Sequence, residues 1–263
     1  MSAALQVVNV SKHFGGLAAI SDVTLDVLDG SVAALIGPNG AGKTTLFNLI
    51  TNLFPPSAGE IYFYGTSLKR LSPGQIAGLG LIRTFQTARV FPGMTVLENV
   101  LVGGHRRIRR HAAEQMLWLP AARREERALA GRADAFLDLA GLSRFRNEAA
   151  TDLPMGSQKL LEVIRALMAR PRLLLLDEPA AGLNDAETAE LGSLLRAVRD
   201  AGTTVMVVEH NMSLVMGVAD RVMVLDAGAL VAVGTPQEIG QNARVIEAYV
   251  GQSEPQSGGA HNA

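Results

Sequence analysis

Apolar and polar positions along this chain fall into two rhythms. Residues 32–36, 173–176 and 205–208 are short runs with no polar alternation, the pattern of parallel strands buried on both faces. Helical periodicity near residues 158–169 and 186–201 separates the later runs, which predicts a doubly wound α/β core. The beginning reads differently. Residues 5–10 are apolar with polar breaks, and residues 21–27 alternate with period two, as half-buried strands do. Asp29-Gly30, between Val27 and Val32, reads as a hairpin turn. After a first helix over residues 46–50, Pro55-Pro56-Ser57-Ala58-Gly59 breaks the chain and residues 60–65 give another strand and turn. An antiparallel sheet beside the core is expected. From Thr95 to Leu153 the spacing turns helical: Met94, Leu97 and Val100-Leu101 share one face, as do Phe136 and Leu139-Ala140. Residues 222–225 and 230–233 predict a closing hairpin, and residues 252–263 a disordered tail.

Composition narrows this little but usefully. The chain has 263 residues and a formal net charge of −1, enough to bury a sizeable core and with no global attraction to nucleic acid. It contains no cysteine, which excludes disulfides and thiolate metal sites and agrees with a reducing compartment. No apolar run approaches the roughly 18 residues that span a bilayer, and no signal peptide is predicted. Work at a membrane would need another chain as anchor. Arginines cluster between His105 and Arg127 with Glu114, Glu125 and Glu126 interspersed. That stretch reads as a solvated helix surface, with contact to a membrane-domain partner or lipid headgroups as the other reading.

The candidate chemistry begins at Gly37-Pro38-Asn39-Gly40-Ala41-Gly42-Lys43-Thr44-Thr45, which fits the phosphate-binding pattern G-x-x-x-x-G-K-[ST]. A buried strand precedes it and a helix follows. Glycines let successive amides face inward, and the helix then directs its positive end at the anion. Lys43 would reach the β- and γ-phosphates of a nucleoside triphosphate, and Thr44 would give its hydroxyl to Mg²⁺.

The apolar run 173–176 ends in Asp177-Glu178. Parallel strands deliver such residues to the crevice at the carboxyl edge of the sheet. Asp177 would hold Mg²⁺ directly or through water, and Glu178 would orient or deprotonate the attacking water. His210 follows run 205–208 and Glu209 at the same edge, where a histidine can donate to a γ-phosphate. Gln86 joins the sheet region to the helical region. From its own segment it reads as a polar surface residue, although an amide there suits water or metal contact.

These pieces, in this order and over nearly the whole chain, resemble the ATP-binding subunit of ABC transporters. Within that superfamily they resemble the G-type ATPase of branched-chain amino acid uptake systems. The closer likeness lies in residues 12–17, 37–51, 83–86, 91–100, 177–184, 208–212 and 245–251. It implies a single ATP-binding domain over residues 1–251, with a P-loop NTPase core, an N-terminal antiparallel β subdomain and a helical subdomain inserted at about residues 87–157. It implies that Phe14 stacks on adenine, that Gln86 links the γ-phosphate and metal to the membrane domain, and that His210 is a switch. Leu183-Asn184 would belong to the loop that crosses to a second ATPase subunit, either an F-type paralogue or a second copy. Further implied partners are integral-membrane permeases and, indirectly, a periplasmic binding protein, with the chain peripheral on the cytoplasmic face of the inner membrane.

The signature segment departs from the family pattern L-S-G-G-Q. Here it is Leu153-Pro154-Met155-Gly156-Ser157, followed by Gln158. Pro154 has no hydroxyl for a phosphate. What remains is the start of a helix, whose amides near Gly156 and Ser157 can still face an anion, and Ser157 offers a hydroxyl in place of the usual amide. A sibling transporter for urea, short amides or lipid-linked cargo would carry much the same nucleotide site, and Ser157 leaves a hydrolysis-impaired regulatory subunit open. A soluble ABC ATPase acting on DNA or ribosomes would usually carry coiled-coil or tandem insertions, and this chain has neither.

Overall fold

In the computed structural model, residues 2–84, 90–104 and 120–250 are described. Gln86, residues 105–119 of the arginine-rich stretch and the expected tail lie outside the described residues. Three strands, β3 (Val32–Ile36), β7 (Leu173–Asp177) and β8 (Thr204–Val208), are buried at every position. With β6 (Leu81–Arg83), β9 (Arg221–Asp226) and β10 (Ala229–Gly234) they form a six-stranded sheet of order β10-β9-β3-β8-β7-β6. Its strand pairs are parallel except the β9–β10 hairpin. The amphipathic strands β1 (Ala3–Phe14) and β2 (Leu17–Leu28) go instead to a four-stranded antiparallel sheet with β4 (Ala58–Phe63) and β5 (Thr66–Ser67).

Strand alternation divides the core in two. Val32, Ala34, Ile36, Leu174 and Leu176 face α5 (Met155–Leu167), α6 (Asp185–Asp200) and α7 (Met212–Val218). Their odd-numbered neighbours Leu35, Leu173 and Leu175, with Ala33, face α1 (Lys43–Ile50) and the apolar side of the antiparallel sheet. Each fully buried aliphatic side chain contributes about 1.5–3 kcal/mol, so the alternation fixes which layer covers which face. Short helix α2 (Pro73–Leu79) leads into β6. Helices α3 (Val96–Val102) and α4 (Pro120–Leu139) share the first core through Val96, Val100, Ala133 and Leu137. Arg124, Glu126 and Arg127 are exposed on α4, as a solvated helix face requires. Two short helices, α8 (Pro236–Gly240) and α9 (Ala243–Val250), follow β10.

Two expectations need correction. Asp29-Gly30 makes a turn but no hairpin, because β2 and β3 belong to different sheets. A strand buried on both faces pairs with β8 and β9, whereas β2 needs one face open to water. The turn is fastened to the core instead: Gly30 N–H donates to Thr204 Oγ1 at 3.0 Å, and Thr204 Oγ1 donates to Asp29 Oδ1 at 3.1 Å. Met94 lies ahead of α3 rather than on its face, because Thr95 caps that helix through Glu98.

Candidate active site

The carboxyl edge of the parallel sheet gathers the predicted residues. Register aligns Leu35 with Val208, and Val208 with Asp177, so the loops leaving β3, β7 and β8 emerge side by side. The first of these is the phosphate loop. Gly37 has φ 151° and Gly42 φ 99°, and the loop closes through Ala41 N–H to Pro38 O and Gly228 N–H to Ala41 O. Lys43, 7% exposed, opens α1 and turns back to donate to Gly37 O at 2.7 Å and Pro38 O at 2.9 Å. Burial pushes its pKa down, opposed by the charges of Glu178 and Asp177. Thr44 stands exposed beside it.

The way the helices begin is informative. Ser72, Thr95, Asn184, Asn211 and Thr235 cap α2, α3, α6, α7 and α8 with side-chain oxygens. Gly42 and Pro154, ahead of α1 and α5, give no such cap. Among the described residues the N-cap side chains thus leave the first-turn amides of these two helices for another acceptor, and an anion is the natural one.

Asp177 and Glu178 follow as expected from β7. Asp177 is 3% exposed; its Oδ2 accepts from Arg83 Nη2 at 2.8 Å. Its other oxygen, Oδ1, is buried with no hydrogen-bond partner among the described residues. Glu178 takes a left-handed φ of 49°, held by its own N–H donating to Val208 O at 2.9 Å. Its Oε1 lies 4.0 Å from Nδ1 of His210, so strand ends 7 and 8 bring these two side chains together.

Other predicted residues sit further out. Phe14 ends β1, 47% exposed, edge-on to Phe54 with ring centroids 5.4 Å apart. Lys12 Nζ lies 5.1 Å from the Phe14 ring and 5.0 Å from that of Phe54, and is fixed by donating to Pro55 O at 2.7 Å. Gly156 is buried against Glu187; a Cβ there would come within 2.4 Å of its Oε1. Glu187 in turn completes the capping box with Asn184. Ser157 borders a cleft of about 600 Å³ shared with Arg144 and Glu190.

Matching the sequence against known families, an ABC transporter model covers residues 20–181. The chain belongs to the ABC transporter family. This ABC subunit is 43% identical to the "High-affinity branched-chain amino acid transport ATP-binding protein LivG" of Salmonella typhimurium, over 96% of this chain and 100% of that protein. In structure it is similar to the ADP conformation of MJ1267, an ATP-binding cassette of an ABC transporter, with TM-score 0.83, 29% identity and 96% and 100% of the two chains covered. A dimeric post-hydrolysis state of the ATP-binding cassette MJ0796, bound to ADP and Pi, gives TM-score 0.73 at 26% identity over 88% and 98%. The chain is thus an ATP-binding, ATP-hydrolysing subunit, whose family works with membrane permeases and a second ATPase. Among the described residues no helix is long and apolar enough to cross a membrane.

Sequence reading of the ABC subunit missed four residues. Arg83 joins the strand before Gln86 to Asp177 and, through Nη1, to Asn48 Oδ1 at 2.7 Å on α1. The signal was a charge in an otherwise apolar strand end. Phe54 and Lys12 build the aromatic corner around Phe14, 40 and two positions away in sequence, a contact that no local pattern reveals. Glu209 was passed over as the neighbour of His210.

Proposed function

We propose that this subunit is the motor of an importer for branched-chain amino acids, closing with a second ATPase on two Mg·ATP. The subunit comprises one domain over residues 1–251 with its helical part inserted at about 87–157. The observation that carries the chemistry is the convergence at one sheet edge of Lys43, which opens the helix after β3, Asp177 and Glu178 at the end of β7, and His210 just beyond β8. Phe14 stacks on adenine. Residues 37–45 wrap the phosphates, with Lys43 exchanging its loop carbonyls for phosphate oxygens. Glu178 orients or deprotonates the attacking water, and His210 donates to the γ-phosphate. The uncapped start of α5, around Gly156 and Ser157, faces the γ-phosphate held by the other subunit.

The residues fit a magnesium ion. Asp177 keeps one buried oxygen without a hydrogen-bond partner among the described residues, and Thr44 presents an exposed hydroxyl; with Gln86 these would hold it. Bound Mg²⁺ supplies charge neutralisation on the β- and γ-oxygens. Among the described residues no group of three or more His, Asp or Glu forms a metal site, in keeping with an ion that leans on phosphate and water.

The likeness to LivG supports the cargo. A permease segment would dock in the groove of about 530 Å³ between α2, β6 and α4, lined by Ile82, Leu129, Arg132 and Met168, next to the strand that leads to Gln86. The membrane face is then cytoplasmic, with a binding protein delivering substrate from the other side. In Glu178→Gln, steady-state hydrolysis should fall by roughly 10²- to 10⁴-fold while ATP affinity holds and ATP traps a dimer in gel filtration; undiminished turnover would sink the assignment. In vesicles carrying the permeases, leucine-loaded binding protein should stimulate hydrolysis. Stimulation by a urea-loaded one instead would move the subunit to the sibling class.

A further inference from the structure

Glu209 is fully buried, and the chemistry above gives it no part. Both of its carboxylate oxygens are nevertheless engaged. Oε1 accepts from Ala180 N–H at 2.7 Å, while Oε2 accepts from His210 N–H and Asn211 N–H, each at 3.1 Å. Burial pushes its pKa up, and these three amides oppose that. A buried carboxylate is costly, and an apolar side chain in its place would leave three amides unpaired. Only an acceptor with two oxygens and no hydrogens satisfies all three; a glutamine would turn an NH₂ toward an N–H.

The two segments it joins are the ones that aim the proposed water-activating and phosphate-sensing groups. On one side Ala180 closes the turn that begins at Glu178, whose carbonyl also accepts from Ala181 N–H at 3.1 Å. Glu178 sits at φ 49°, a left-handed conformation that is unfavourable for a non-glycine residue and needs outside support. On the other side are the backbone amides of His210 and Asn211, and Asn211 caps α7.

We propose that Glu209 is a positioning residue for hydrolysis, strapping the Glu178 turn to the His210 loop so that the two side chains are presented as one unit. This rests on the roles assigned above to Glu178 and His210. The side-chain bonds of Glu209 go to Ala180, His210 and Asn211 and not to residues 37–45, so their loss should act on turnover rather than on nucleotide binding.

The test uses Glu209→Gln and Glu209→Asp in the full chain, each alone and combined with Glu178→Gln. Hydrolysis is followed in steady state and single turnover, and affinity with a fluorescent ADP. In the otherwise unaltered chain Glu209→Gln should lower kcat about tenfold or more while KM and ADP affinity move less than about twofold. Glu209→Asp keeps the charge but is one methylene shorter, and should recover part of the loss. Combined with Glu178→Gln, neither change should slow the residual rate further, because residues acting as a unit are not additive. An unchanged kcat, an equal loss of ADP binding, additive effects in the double variant, or failure of both variants to fold would each overturn the strap. Should Glu178→Gln alone leave turnover intact, the underlying assignment fails instead, and the two failures are told apart by that single variant.

Discussion

At position 37 the phosphate loop has no room for a side chain. A Cβ there would lie 2.0 Å from the carbonyl oxygen of Leu225 on β9, at a φ of +151°. Gly37→Ala should therefore displace the loop from the sheet edge. We expect a loss of roughly 2–4 kcal/mol in stability and weaker ATP binding, checked by thermal unfolding and nucleotide titration; an unperturbed Tm with normal binding would contradict the close approach. The glycine was legible as part of a motif, yet its neighbour on β9 is 188 positions away. Lys43, Asp177 and Glu178 were legible as candidates for the same reason: residue type and order single them out. Arg83 and Phe54 were not, because an ion pair or a ring contact depends on where two distant backbones arrive.

Helix starts carry their own instructions. In Thr95-x-x-Glu98 and Thr235-x-x-Glu238 each glutamate accepts from the threonine N–H, and that backbone bond comes first among the causes holding both carboxylates below their ordinary 4.5. A depressed folded value means that the stabilisation is complete above pH 4.5 and is lost as pH falls through the lower value. Amide exchange at the start of α3 should accordingly speed up relative to the core only on that acid side, and Thr95→Ala should flatten this dependence. An acceleration setting in near neutrality would contradict it. Element type was largely readable: short apolar runs became parallel strands, and helical spacing became α5 and α6. What misled was chain adjacency at Asp29-Gly30. A tight turn says that the chain reverses, whereas the partner of each strand is chosen by how many of its faces must be covered.

For the whole molecule, the uncapped starts of α1 and α5 give one chain two ends suited to anions. We expect a head-to-tail pair, in which each nucleotide lies between α1 of one subunit and α5 of the other. If the second ATPase is an F-type paralogue, mixing the two should raise hydrolysis above the sum of the two alone, measured at fixed total protein; simple additivity would count against the heterodimer. The sequence by itself determined the α/β class, the phosphate loop, the order of the acidic pair and histidine, and the family, because these are properties of local pattern and spacing. Tertiary structure alone decided that β2 and β3 part into different sheets, that Arg83 takes one oxygen of Asp177, and that Glu209 ties two loops together. Those choices depend on burial and on the pairing of groups far apart in the chain, where the cost of an unpaired buried charge or amide selects the arrangement.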